Sequence, residues 1–193
     1  MRQRLSIILS LVVVVSLMAV APVSADPPLR GVMDLTLNLG PPDGSPPAEC
    51  PAISWIGTIT IDGDMYDMAF FPQGTGKPFD SDPSTSVHFF EEIWTIYELG
   101  TLDYEFTNYP DPDVPGGVDI LTTCILDEAV PVLSGDDSGT TSIKASRYRM
   151  NGKVDFAEGV FAGLEGHKVH MSGTVEWYPF GAPHFAPGDF RLK

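Results

Sequence analysis

The sequence predicts an all-β protein: a single antiparallel β-barrel of about eight strands, with long Pro/Gly loops and a C-terminal strap. Three observations carry this. Short segments with period-two alternation recur along the chain, turn residues separate them, and no long amphipathic helical pattern intervenes. The clearest case is Tyr148 to Tyr178. Tyr148, Met150, Val154 and Phe156 fall on one face of a strand, and Arg149, Asn151, Lys153 and Asp155 on the other. After a glycine-rich connection over 157–166, His167, Val169, Met171, Gly173, Val175 and Trp177 oppose Lys168, His170, Ser172, Thr174, Glu176 and Tyr178. Many short strands of this kind indicate a sandwich or a barrel, and closure into a barrel leaves no sheet edge exposed.

The other elements follow in chain order. Gly31 to Leu39 alternates, with Met33, Leu35, Leu37 and Leu39 on one face, and forms a first strand. Gly40 to Pro51 holds five prolines and is a loop. Ile53 to Ile61 and Asp64 to Phe71 are strands joined by Asp62-Gly63, the strongest short-range hairpin signal. Pro72 to Ser86 is a second loop. Val87 to Leu99 is a strand with two largely apolar faces, each bearing a carboxylate, and its β-branched and aromatic content predicts burial on both sides. Leu102 to Thr107 is a strand, Asn108 to Gly117 a proline- and aspartate-rich loop, and Val118 to Asp127 another strand. Ser134 to Gly139 is a turn by composition. From Pro179 onward the chain reads as an extended strap packed over the barrel.

Residues 1–25 read as a secretory signal peptide, with Arg2 and Arg4, an apolar run from Leu5 to Val20 and the small-residue site Val23-Ser24-Ala25. The competing reading is a retained anchor, since the run approaches the length that spans a bilayer. Cleavage leaves residues 26–193 as one barrel domain, secreted or extracytoplasmic in the periplasm or cell envelope, with no stable membrane insertion. Removing Arg2 and Arg4 leaves 11 − 2 = 9 basic against 26 acidic side chains, a net charge of −17. Such a balance disfavours DNA, RNA and anionic lipid, which need basic patches. Oligomeric state is open. Cys50 and Cys124 are the two cysteines, and the exported setting makes a disulfide the expected state. It would stabilise the fold by about 4 kcal/mol in the chain-entropy account. Buried thiols and a catalytic cysteine are the alternatives, the latter without a supporting signature.

Gly159, Phe161, Gly163, Gly166 and Gly173, set between alternating strands, resemble the G-x-F-x-G-x-x-G hairpin of allene oxide cyclase-like and dirigent-like β-barrels. The resemblance covers mainly 151–177. It implies an eight-stranded antiparallel barrel whose phenylalanine plugs the interior, with an apolar pocket that binds or steers cyclisation of a reactive lipid or phenolic intermediate. The family's catalytic carboxylate has no matching motif around Glu91, Glu92 or Glu98.

Glu92 is the candidate catalytic residue, because a carboxylate inside an apolar barrel holds its proton to unusually high pH and can act as general acid or base. His88 lies on the same strand face about 13 Å away and cannot touch it. The plainer reading puts Glu92 at a wet barrel end or in an ion pair with Arg147 or Arg149. His167 and His170 point to opposite faces and cannot ligate one metal together. Asp111, Asp113 and Asp119 lack the regular calcium-loop pattern, Ser134, Ser138 and Ser142 sit in no nucleophile elbow, and no nucleotide motif occurs. No metal or cofactor is therefore expected. Phe90, Trp94, Met150 and Trp177 are expected to wall an interior site, with Glu92 or His170 as polar anchor, though such residues more often simply fill a core. The expected function is an exported barrel that binds a small apolar ligand. The alternatives are a cofactor-independent cyclase or isomerase, and a structural or interaction domain of the cell envelope with a filled core.

Overall fold

The computed structural model describes residues 29–38, 50, 54–73, 88–111, 114–142, 145–178 and 182–193. Its strands are β1 (Leu29–Asn38), β2 (Ser54–Ile61), β3 (Asp64–Pro72), β4 (His88–Tyr97), β5 (Asp103–Asp111), β6 (Val114–Ile125), β7 (Pro131–Ser142), β8 (Arg147–Ala157), β9 (Lys168–Thr174), β10 (Glu176–Tyr178), β11 (Ala182–Phe185) and β12 (Gly188–Leu192). Eight of them close a ring in the order β1-β2-β3-β4-β7-β8-β9-β12 and back to β1, every pairing antiparallel. The protein is an all-β, closed eight-stranded barrel. β10 and β11 form a small hairpin attached to β1, and β5 and β6 form a separate two-stranded sheet.

Alternation decides what fills the ring. Met33 and Leu35 from β1, Ile59 and Ile61 from β2, Met68 and Phe70 from β3, Trp94 and Ile96 from β4, Met150 and Val154 from β8, Met171 from β9 and Phe190 from β12 are buried in one cluster. The Asp62-Gly63 turn joins β2 to β3 with both residues at positive φ, 51° and 100°, as the tight hairpin predicted from that dipeptide requires.

The β5–β6 hairpin lies over the outer wall of β2, β3 and β4. Leu102, Leu121 and Cys124 pack there against Ile56, Ala69 and Tyr97 in a second cluster, and a disulfide joins Cys124 to Cys50. The buried Asp67 carboxylate accepts hydrogen bonds from the backbone N–H groups of Gly100 (2.7 Å) and Leu102 (3.3 Å), fixing the entry to the hairpin.

Four sequence expectations are corrected. Ser134 to Gly139 is not a turn but the middle of β7, a barrel strand. Its glycines face inward because the partner strand comes close: a Cβ on Gly135 would lie 1.8 Å from the Lys153 carbonyl oxygen and 2.8 Å from the Trp94 ring. The Asn108–Gly117 loop is largely strand, with Pro110 in β5 and Pro115 in β6, tolerable in a two-stranded ribbon whose outer edges make no ladder. The C-terminal segment is not only a strap. β12 closes the barrel between β1 and β9, with Phe190 and Leu192 inward and Asp189 and Arg191 outward. β4 is buried on both faces only in its second half, where Thr95 and Tyr97 on the outer face lie buried near the β5–β6 hairpin; in its first half Phe89 and Ile93 on that face are 52% and 45% exposed. The leader over 1–25 and most of the two loops over 40–51 and 72–86 lie outside the described residues.

Candidate functional site

The inward residues of β4 step along the barrel axis in the order Ile96, Trp94, Glu92 and Phe90. The end near Ile96 is closed. There Gly159–Phe161 forms one turn of 3-10 helix after β8, and the buried Phe161 ring sits 5.4 Å from Tyr66 at 58°. Gly159, Gly163 and Gly166 take positive φ around it, a backbone state that glycine adopts without steric cost. At mid-height Trp94 meets Phe190 edge to face at 5.7 Å. Toward the other end the filling changes character.

Glu92 is buried and faces Asp137 directly across the β4–β7 ladder, and Asp137 in turn faces Gly152 of β8. Two carboxyls thus stand side by side inside the barrel. Among the described residues, Glu92 Oε2 and both Asp137 oxygens have no hydrogen-bond partner, nor do Tyr148 Oη and Trp94 Nε1. Burial pushes the Glu92 carboxyl up to about 8. Burial, and then the neighbouring Glu92 and Asp136 charges, push Asp137 up to about 9. Burial, with Asp189 and Glu92 adding to it, also raises the Tyr148 phenol above its ordinary value. At neutral pH the interior therefore holds neutral O–H groups rather than anions.

Tyr148 reaches its place because two glycines clear it. Gly173 of β9 lies opposite both Tyr148 and Gly188. A Cβ on Gly188 would fall 1.9 Å from the Tyr148 hydroxyl, and one on Gly173 2.7 Å from it. A cavity of about 40 Å³ opens beside these groups, with Glu92, Tyr148 and Thr141 as its polar residues and Met33, Leu35, Phe70, Phe90 and Met150 among its walls. Thr141 donates weakly to the Arg147 carbonyl, at 3.4 Å.

The structure brings Glu92, Phe90 and Met150 together at the cavity and places Trp94 directly below, buried. His170 is on the outer face, its Nδ1 2.9 Å from Asn151 Oδ1, and so is not among the cavity's polar groups. Trp177 belongs to β10, outside the ring, and its side chain lies outside the described residues, as does that of His88. Arg147 and Arg149 are exposed on the outer face of β8, which rules out their pairing with Glu92. Asp119 accepts from Asn108 Nδ2 at 3.3 Å. Among the described residues no group of three or more His, Cys, Asp or Glu could hold a metal ion.

Sequence reasoning missed Asp137 and Tyr148. The signal was present: Leu133, Gly135, Asp137, Gly139 and Thr141 alternate as strictly as any apolar strand, but with small residues that composition assigns to a turn. Among the described residues no helix is long and apolar enough to cross a membrane. No family model, curated protein or solved structure matches the chain. The site is read from its geometry.

Proposed function

We propose that the barrel is an extracytoplasmic binding module for a small, mainly apolar molecule bearing one hydrogen-bond acceptor, such as a carbonyl or ether oxygen. One observation carries the reading: Glu92 is buried, has a carboxyl oxygen without a partner among the described residues, and lines an apolar cavity. An unpaired buried polar group costs about 1–3 kcal/mol, so a wall built to conserve stability alone would replace it. A ligand oxygen that accepts from the protonated Glu92, with Tyr148 as second donor, would satisfy both. The leader-like N-terminus and the disulfide support the extracytoplasmic setting. The same neutral carboxyl is chemically able to act as a general acid toward a bound acceptor, the cyclase or isomerase alternative.

A second reading has its own observation. At about 40 Å³ the cavity is well below the roughly 300 Å³ or more of typical ligand pockets, which favours a filled structural barrel. Binding would then require the flexible Met33 and Met150 side chains, both at the wall, to move aside. Native mass spectrometry of the protein recovered from an exporting host separates the two. The binding reading expects a noncovalent apolar adduct, lost on denaturation and reduced about tenfold or more in occupancy by Glu92→Met, which removes the donor at similar volume. No adduct, together with no uptake of apolar ketones or dyes, establishes the filled barrel.

A further inference from the structure

The outer wall carries a charge pattern unrelated to the cavity. All seven described lysines and arginines, namely Arg30, Arg147, Arg149, Lys153, Lys168, Arg191 and Lys193, lie on or at the end of the four adjacent strands β8, β9, β12 and β1, and all are exposed. They form cross-strand rows. Lys153 is opposite Lys168, whose backbone exchanges hydrogen bonds with Lys193, so three ammonium groups stand in succession across the sheet. Arg191 is opposite both His170 and Arg30. Like charges directly opposite one another destabilise a sheet. Only three acids interrupt these four strands, Asp34, Asp155 and Asp189, and the last sits 3.5 Å from Arg191. With Glu158 at the end of β8 counted as Lys193 is at the end of β12, the face keeps an excess of 7 − 4 = 3 positive charges in a chain whose formal net charge is −15.

The opposite imbalance sits on the β5–β6 unit. From Glu98 to Glu128 the chain holds eight acids (Glu98, Asp103, Glu105, Asp111, Asp113, Asp119, Asp127 and Glu128) and no lysine or arginine. Glu98, Asp103, Glu105, Asp127 and Glu128 are exposed. This unit packs on the β2–β3–β4 wall, through Ile56, Ala69 and Tyr97. In the ring order β9 lies opposite that wall. β6 comes up against β1 at one edge of the basic face, but the β8–β9 part with Lys153 and Lys168 lies across the barrel from the hairpin and cannot meet it within one molecule.

We propose that the basic β8–β9–β12–β1 face docks the acidic β5–β6 hairpin of a second copy. The contact joins two different patches, so it is head-to-tail, and repeated addition builds a ring or an open chain rather than a dimer of identical patches. Both copies carry net negative charge, which slows their approach at low salt. At about 0.15 M salt that repulsion is largely screened beyond about 8 Å while contacting pairs persist, so association is strongest at intermediate ionic strength. Cavity binding and docking use opposite sides of the barrel wall, inner and outer, and stand or fall separately.

Sedimentation velocity on the purified protein tests this. The expected result is a weight-average mass that rises with protein concentration at about 0.15 M salt and returns to the monomer at about 1 M. Lys153→Glu combined with Lys168→Glu weakens the association by about tenfold or more, and so does Asp103→Lys combined with Glu105→Lys on the hairpin. An equimolar mixture of the two reversed variants restores assembly, because each supplies the face the other lacks. All four positions are exposed, so circular dichroism of each variant should match the parent. A protein that stays monomeric at every concentration and salt overturns the proposal, as does self-association that charge reversal leaves unchanged or reversed variants that fail to assemble when mixed.

Discussion

The two ends of this barrel are made by the same eight strands and are built on different rules. At the Phe161 end, apolar side chains interlock and a glycine-rich turn folds an aromatic ring back as a plug. At the Glu92 end, two carboxyls, a phenol and a cavity replace apolar filling, and several buried polar atoms have no partner among the described residues. One end is filled with apolar side chains; the other departs from the rule that buried polar groups are hydrogen-bonded. Such departures concentrate where a protein holds something ready for a partner it must bind.

The largest expected effect lies at the closed end. Phe161→Ala should cost about 3–5 kcal/mol of unfolding free energy by removing buried apolar contacts and leaving a void. Urea denaturation checks this, and a loss below about 1 kcal/mol would mean that the plug adds little to the barrel.

At the acid end the sign reverses and becomes pH-dependent. In the unfolded chain Glu and Asp release their protons near pH 4, whereas the folded protein keeps them until about 8 at Glu92 and about 9 at Asp137. Between these limits the folded state binds more protons, so stability is full below about pH 4 and falls as pH rises through the folded values. Glu92→Gln should therefore change stability little near pH 4 and raise it by about 4 kcal/mol near pH 8. Thermal melts across that range decide. A variant less stable than the parent at pH 8 would show that Glu92 has a stabilising partner and would remove the contrast between the ends.

The smallest effect is at Tyr148. Replacing it by Phe removes a buried hydroxyl that has no partner among the described residues, so Tyr148→Phe should be neutral or stabilising by about 1 kcal/mol. If the same change weakens binding of carbonyl compounds while leaving apolar dye uptake intact, the hydroxyl is a ligand contact.

How much of this was legible in the sequence follows the same division. Regular alternation and the Asp62-Gly63 turn specify the barrel, and Glu92 stands out as a carboxylate on an otherwise apolar inward face. Asp137 was hidden because Ser134 to Gly139 combines glycine, serine and aspartate, the vocabulary of turns. In β7 those residues are small for another reason, which is that neighbouring backbones and the Trp94 ring occupy the space their side chains would fill. β12 was obscured by the prolines before it, although Phe190 and Leu192 alternate with Asp189 and Arg191. The basic face could not be read from linear order at all. Arg30 and Arg191 lie at opposite ends of the chain, and only the closure of β1 against β12 brings them opposite one another.

The most direct measurement is a carbon-13 NMR titration of the side-chain carboxyls in the folded protein, with Glu92→Gln and Asp137→Asn assigning the two interior signals. The acid end as described predicts that both carboxyls remain protonated at pH 7 and titrate near 8 and 9. Two signals that titrate near 4, as solvated carboxylates do, would contradict it and leave a barrel whose two ends differ in shape but not in chemistry.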